Sequence, residues 1–334
     1  MTIYIRGVSM KKSTKVILGI FIAIAIIILG SFGYIYAKLD SIYVKGSDNK
    51  YKSSQGEEQS GKMVDGITNI LLVGIDGTRI DKGNRSDSVM LATIDSKSKQ
   101  LKITSIARDT YVDIPGHGYE KLTHAYAYGG IDLLKEVFKN NFDINIDKYV
   151  AVNFISFIDV IDEIGGVTVD IKAKDINEIN TYIDACYKYY GDRENKAPKE
   201  YITKPGVQKL NGYQALAFSR IRYTDSAFAR DNRHREVAQS VYNEFLKQDP
   251  LMYKKAADIL LRNTKTNISP MEMIDLGFTV YNIKDSNIEQ LEFPLEGHRN
   301  GHIISKQKGW VLEWDKDYNL NALHEFIFGQ PYKK

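Results

Sequence analysis

The chain has 334 residues, a formal net charge of +3, and 43% hydrophobic and 26% charged residues. That is room for one large globular domain or two modest ones, and the near-balanced charge excludes a polycation, so any anion site has to come from local clustering. The single cysteine, Cys186, excludes an internal disulfide and reads as a small, semi-buried side chain.

Val16 to Ala37 (VILGIFIAIAIIILGSFGYIYA) carries no charge over about 22 residues, enough helix to cross roughly 30 Å of hydrocarbon. Arg6, Lys11, Lys12 and Lys15 precede it. The positive-inside rule therefore places 1–15 in the cytoplasm and everything after Ala37 outside. The run is too long for a signal-peptide core, and no A-x-A site follows it. An uncleaved signal anchor at 16–37 is expected, in a single-pass type II cell-membrane protein with its C-terminal domain extracellular. Met10, followed by Lys-Lys, offers a second start. Residues 38–65 are polar and read as a flexible tether.

Asn69 to Asp76 (NILLVGID) is an apolar run ending in a carboxylate, the pattern of a buried strand. SVMLATID and QLKITSIARD supply two more strands, and the short connections predict an antiparallel meander. Such a meander brings Asp76, Arg85, Asp87 and Arg108, with Asp109, to one sheet edge. After HAYAYGG come a helix (IDLLKEVFKNN), a strand (KYVAVNF), a helix with a glycine stop (ISFIDVIDEIGG) and a strand (VTVDI). The alternation predicts a mixed α/β sandwich with helices on both faces. NGYQALAFSR reads as a short helix, and RDNRHREVAQSVYNEFLKQ as a long amphipathic one broken at Asp249-Pro250. Leu251 to Lys334 shows two helical patterns, a strand at IEQLEFPL and a final helix near NALHEFIF.

The stretch RIRYTDSAFARDNRHR, residues 220–235, holds five arginines and no lysine. Arginine is the choice where a planar, permanently charged fork must grip an oxyanion. Arg230, Arg233 and His234 share one face at the start of the long helix, where free N–H groups and the dipole already favour anions. Arg220 and Arg222 are expected to project from one side of an extended segment. The competing reading is a solvated face paired with Asp225, Asp231 and Glu236. Asp76 and Asp87 could hold a hard divalent cation, or each could cap a turn. His124, His234, His298 and His302 form no recognisable ligand set, and no P-loop, GxSxG, HExxH or zinc spacing is present.

GNRSDSVMLATID, SIARDTYVDIP, KLTHAYAYGG and FSRIRYTDSAFARDNRHREV, in this order, resemble the LytR–CpsA–Psr family over roughly residues 66 to 245, and the anchor before them also matches. The resemblance implies a catalytic domain at 66–250, folded as an α/β/α sandwich around a mixed central β-sheet, with a hydrophobic tunnel for a polyprenyl chain. It implies a phosphotransferase that moves an anionic or secondary wall glycopolymer, teichoic acid or capsule-like, from undecaprenyl diphosphate onto peptidoglycan. The acceptor would be the 6-hydroxyl of N-acetylmuramic acid. Carried over by position, Asp76 and Asp87 would hold Mg²⁺, with Mn²⁺ as a substitute. Arg108, with Asp87, would act in catalysis. Arg85, Lys121, Arg220, Arg222, Arg230 and His234 would hold the diphosphate. The implied partners are the lipid-linked glycopolymer, peptidoglycan and the cell membrane, and no nucleic acid.

Two departures stand out. His234 takes a place where the family often has Gln, and Ala227-Phe228-Ala229-Arg230 stands where a D-F-G-R pattern is common; Asp225 is a candidate for the missing carboxylate. The His234 contribution is expected to depend on pH. Residues 251–334 match no motif and read as a docking surface or a support for the core. The competing functions are a polyprenyl-diphosphate hydrolase, an envelope-related transcriptional regulator (opposed by the anchor), and a non-catalytic glycan-binding wall protein.

Overall fold

The computed structural model describes residues 64–76, 80, 83–192, 197–222, 227–247, 264–283 and 288–333, with Ala37, Asp40, Tyr43 and Val44. Nearly all of the expected anchor, most of the tether, Asp225 and the Asp249-Pro250 break lie outside these residues. Among the described residues no helix is long and apolar enough to cross a membrane.

The three strands expected to form a meander do so. β1 (Ile67–Ile75), β2 (Ser86–Asp95) and β3 (Gln100–Ile106) pair antiparallel in that order. A hairpin of β4 (Tyr111–Ile114) and β5 (Gly118–Lys121) leads into helix α1 (Leu122–Phe142). HAYAYGG is therefore helical rather than a lead-in, and the irregularity is confined to Gly130, at φ 69°. β6 (Lys148–Asn153) lies parallel beside β1. Helix α2 (Phe154–Glu163), β7 (Val167–Ile171), α3 (Ile176–Tyr190), β8 (Gly206–Leu210), α4 (Gly212–Ser219) and α5 (Ala227–Leu246) follow. The C-terminal stretch contributes β9 (Thr264–Thr266), α6 (Pro270–Asn282), β10 (Ile288–Phe293), a hairpin of β11 (Arg299–Ser305) and β12 (Gly309–Trp314), and α7 (Lys316–Phe328).

The central sheet has six strands in the order β10-β3-β2-β1-β6-β9. It is mixed because β1–β6 and β3–β10 are parallel while its other pairs are antiparallel. The period-2 alternation of the strands sorts the two faces. Leu71, Val73, Val89, Leu91 and Ala151 are buried in one cluster with Leu133, Val137 and Phe138 of α1 and Leu323 and Ile327 of α7. Ile70, Leu72, Ala92 and Val150, on the opposite face, meet Tyr242 of α5 and Met273, Leu276 and Val280 of α6. Helices thus cover both faces. The VTVDI strand, β7, joins β8 in a separate hairpin instead of the central sheet. The Gly165-Gly166 turn redirects it: both residues have positive φ, and a Cβ on Gly166 would stand 2.6 Å from the Leu210 carbonyl oxygen. With α2, α3 and α4 this hairpin encloses its own core around Ile158, Ile179, Ile183, Tyr213 and Phe218.

The C-terminal stretch is woven into the domain. β10 hydrogen-bonds to β3 along its length, and α7 covers the α1 face. At the other edge Tyr43, from the stretch expected to be a tether, pairs with Thr266, and the Val44 N–H donates to the Thr266 carbonyl at 2.8 Å.

Candidate active site

Strand order alone places the chemistry. β1 ends at Ile75, and the Asp76 carboxylate turns back to accept the Arg85 backbone N–H at 2.5 Å, while the Asp76 N–H donates to the Arg85 carbonyl at 3.0 Å. This closes the loop on itself and sets Asp87 as the second residue of β2. At the same end of the sheet β3 runs out into Ala107-Arg108-Asp109-Thr110, a turn closed by the Thr110 N–H on the Ala107 carbonyl at 3.0 Å. The start of α1 binds these pieces together. The Thr123 N–H donates to the Arg108 carbonyl at 3.0 Å, and the Thr123 hydroxyl donates to the Ser86 carbonyl at 2.9 Å. Thr123 therefore fixes the backbones that carry Arg108 and Asp87. Sequence reading passed over it. The available signal is a hydroxyl residue in the first turn of a helix, where it readily bonds to backbone.

Asp87 is the centre of the charge cluster. One of its oxygens accepts a hydrogen bond from Arg108, and the other lies 3.7 Å from the Arg222 guanidinium. Burial alone would raise the Asp87 pKa, but Arg108, then Arg222 and Arg230, outweigh it and hold the carboxyl below its ordinary value. Arg108 also reaches Asp109 through Nε at 3.5 Å, and Lys121 meets the other Asp109 oxygen at 3.3 Å. Asp76 behaves in the opposite way: burial, with the nearby Asp87 charge adding to it, raises its pKa despite the Arg85 N–H.

Arg230 is 5% exposed, and its Nε and one terminal nitrogen have no hydrogen-bond partner among the described residues. Its carboxylate neighbour Asp231 is 4.0 Å away. Burial, and then the like charge of Arg108, push the Arg230 pKa down. A buried guanidinium held against other cations with donors unspent is costly unless an anion completes it.

Arg220 is not part of an extended pair with Arg222. It closes α4 in the right-handed helical conformation, and its guanidinium lies 5.4 Å from the ring centroids of both Phe154 and Tyr182. One of its terminal nitrogens is buried without a partner among the described residues. Arg85 is exposed at the rim.

The expected shared face of Arg230, Arg233 and His234 divides into different tasks. Arg233 is buried against Asp175 at 3.3 Å, and Arg235 bonds Ser105 and Glu292, so both hold the fold. His234 meets the Ser219 carbonyl through Nε2 at 3.0 Å. Burial, then Arg230, push its pKa down to about 4. The neutral ring must carry its proton on Nε2 to make that bond, which leaves Nδ1 a lone pair and no proton to give a phosphate. His234 thus ties α5 to the end of α4, and the pH dependence expected of it near neutrality does not arise. Cys186 is buried, and burial pushes its thiol up to about 11, so it is inert packing.

One titration has a measurable consequence. Burial raises the Asp231 carboxyl from 3.8 to about 6. The fold keeps Asp231 protonated where the unfolded chain would ionise it, so its contribution is full below about pH 4 and lost by about pH 6. The stability of the wild type relative to Asp231→Asn is expected to fall by up to about 3 kcal/mol between pH 4 and pH 7. Urea unfolding of both proteins across that range reads the difference; a flat difference would show that Asp231 is not held neutral.

Asp76, Asp87, Arg108, Lys121, Arg222 and Arg230 therefore gather at one end of the sheet, with Arg85 at the rim and Arg220 and His234 behind. The chain matches the model of the LytR_cpsA_psr family over residues 33–316. It is 34% identical over 296 residues to the polyisoprenyl-teichoic acid–peptidoglycan teichoic acid transferase TagT of Bacillus subtilis, covering 84% of this chain and 86% of the relative. It is 32% identical over 299 residues to the corresponding transferase TagU of Bacillus cereus, covering 87% of this chain and 90% of that one. Among solved structures, TagT bound to LIIa-WTA superposes with a TM-score of 0.64 at 27% identity, over 86% of this chain and 98% of that one. A second, YwtF (TagT) with bound octaprenyl pyrophosphate lipid, gives 0.58 at 25% identity over 85% and 98%. The chain belongs to the LytR–CpsA–Psr family.

Proposed function

We propose that this chain is a phosphotransferase that moves a teichoic acid or related wall glycopolymer from a polyprenyl diphosphate carrier onto peptidoglycan. The named activity of its relatives supports the reading, and so does the bound octaprenyl pyrophosphate of one solved relative. The observation that carries it is the Arg230 guanidinium, buried against the Arg108 and Arg222 charges with two nitrogens that have no hydrogen-bond partner among the described residues. A diphosphate supplies the missing acceptors.

The sheet offers the matching apolar surface. Gly74 stands opposite Ser88, and Leu72 lies between Met90 and Val150 in register. All five are only partly buried, on the face opposite α1. This floor runs from beside Asp87 into the interior of the sheet, and a hydrocarbon tail laid along it keeps its diphosphate at the charged end. A Cβ at Gly74 would stand 3.1 Å from the Ser88 Cβ, a tight contact that Ser88 would have to yield to.

The residues present fit a divalent cation. Asp76 and Asp87 are all-oxygen donors; burial raises the Asp76 pKa and the Asp87 charge adds to it, and a cation between them would relieve both. No cluster of three or more ligating side chains occurs among the described residues. Mg²⁺ bound through two carboxylates would keep its other sites for water and phosphate oxygens. Asp76 and Asp87 would hold it, and it would supply charge neutralisation on the diphosphate.

The protein's own side chains do the rest. Arg108, Arg222 and Arg230 bind the diphosphate oxygens and stabilise charge as it develops, and Lys121, with Arg85 and Arg220 further out, adds positive potential. The muramic acid hydroxyl attacks the phosphorus bonded to the glycopolymer. The new O–P bond forms as the bridging P–O bond breaks, and polyprenyl monophosphate departs. Asp109, beside Arg108 and outside the Asp76–Asp87 pair, takes the hydroxyl proton. No nucleotide is needed, because the diphosphate bond supplies the driving force.

The test combines the full chain with a short lipid-diphosphate glycan, uncrosslinked peptidoglycan and Mg²⁺, with and without EDTA. Mass spectrometry is expected to find a metal-dependent glycan–muramic acid phosphodiester. Free phosphorylated glycan with lipid monophosphate instead would make the chain a hydrolase. Donor binding without turnover would overturn both readings.

A further inference from the structure

Helix α6 is apolar on two opposite faces. Met273, Leu276 and Val280 point inward onto the sheet. On the outside Met271, Phe278 and Tyr281 are 47%, 66% and 53% exposed. At about 100° per residue these three, with Ile274 between them, fall within an arc of about 80°. Asp275 lies at the border of that arc. A surface helix of a globular domain normally turns polar residues outward, and isolated exposed apolar side chains need no explanation. Three large ones gathered on one face of a 13-residue helix do.

The course of the chain indicates what covers them. The uncharged stretch expected to cross the membrane ends at Ala37, and Tyr43 is already fixed on Thr266 at the sheet edge. The intervening residues span at most about 20 Å. From Thr266 the chain passes through Asn267 and Ile268 to Ser269, whose side chain caps α6. The point where the tether is pinned and the start of α6 are thus the same corner of the molecule. Apolar side chains on the outer face of a helix held this close to a bilayer are placed to sink into its interfacial layer, as amphipathic surface helices do.

We propose that the outer face of α6 docks on the bilayer surface through Met271, Phe278 and Tyr281. The inner face of the same helix packs on the apolar floor of the sheet, so docking brings that floor within about one helix diameter of the lipid. The docking itself rests on the anchor read from residues 16–37; only its consequence for substrate entry rests on the transferase reading.

The experiment uses the full chain with Phe278→Trp, reconstituted into phosphatidylcholine vesicles with and without acyl-brominated lipid. The native Trp310 and Trp314 lie on β12, away from α6, and serve as the reference. The added emission is expected to be blue-shifted and quenched about twofold or more by the brominated lipid, with wild-type emission little changed. Water-like, unquenched emission would overturn the proposal. Shielded emission indifferent to bromine would overturn it in favour of a protein partner, a second copy included. A second measurement compares donors. Phe278→Glu is expected to slow turnover of a long-chain donor embedded in vesicles by about tenfold and to spare a water-soluble short-prenyl donor, since only the former needs the docked helix. Equal loss on both would indicate a structural role. If wild type turned over neither donor, the transferase reading would fail, while the quenching result would still decide the docking.

Discussion

Arg108→Ala is expected to lower glycopolymer transfer by on the order of 10³-fold while the protein remains folded. Arg108 is the side chain that joins the two carboxylates at the end of the sheet, bonding Asp87 and reaching Asp109 at 3.5 Å. Its backbone is held independently by Thr123, so truncating the side chain leaves the turn in place. What disappears is a fixed cationic fork where negative charge develops. Arg108→Lys keeps the charge but loses the planar pair of donors, and falls between. Steady-state transfer, read beside a thermal melt, checks this. Near-wild-type turnover in a folded Arg108→Ala protein would remove Arg108 from the mechanism.

Changing Arg230 and Asp231 together is expected to move activity and stability in opposite directions. Both are buried, at 5% and 4% exposure, yet they approach only to 4.0 Å and leave polar atoms unsatisfied. Two desolvated charges in so loose a pair stabilise the empty fold poorly, and replacing such a pair by neutral residues commonly gains about 1–4 kcal/mol. Arg230→Met with Asp231→Asn should therefore raise the urea midpoint, while transfer falls by about 10²-fold or more through loss of a diphosphate ligand. The double change matters: Arg230→Met alone leaves Asp231 buried without its cation. A double variant that is both less stable and fully active would contradict the assignment of Arg230 to the anion.

The parts of this protein that were legible in advance are those set by local pattern. The meander of β1, β2 and β3 follows from apolar runs and short turns, and once it is drawn, Asp76, Asp87 and Arg108 must share an edge. The division of labour among the five arginines was not legible. Arg230, Arg233 and Arg235 have similar spacing and chemistry, and they differ in what tertiary structure sets against them: for two Arg230 nitrogens no hydrogen-bond partner among the described residues, for Arg233 Asp175, and for Arg235 Ser105 with Glu292. His234 was misleading for the same reason, since the Ser219 carbonyl that claims its proton lies on another helix. Nothing in the VTVDI segment itself says that it leaves the central sheet; the two glycines before it, with their positive φ, turn it away.

The pairing of β10 with β3 also governs how the protein can be made. Ile288 lies opposite Leu101, so the edge of β3 has no neighbour until almost the whole chain has been synthesised. Contacts of such long sequence separation form late and slowly. Because the chain is made from its N-terminus, β1 to β3 leave the ribosome as a sheet with a bare, sticky flank, prone to pair with another nascent copy. Synthesis of this protein therefore demands a guarded interval between the arrival of its first strands and that of its last, and truncations anywhere before Phe293 are expected to aggregate rather than yield a smaller working enzyme.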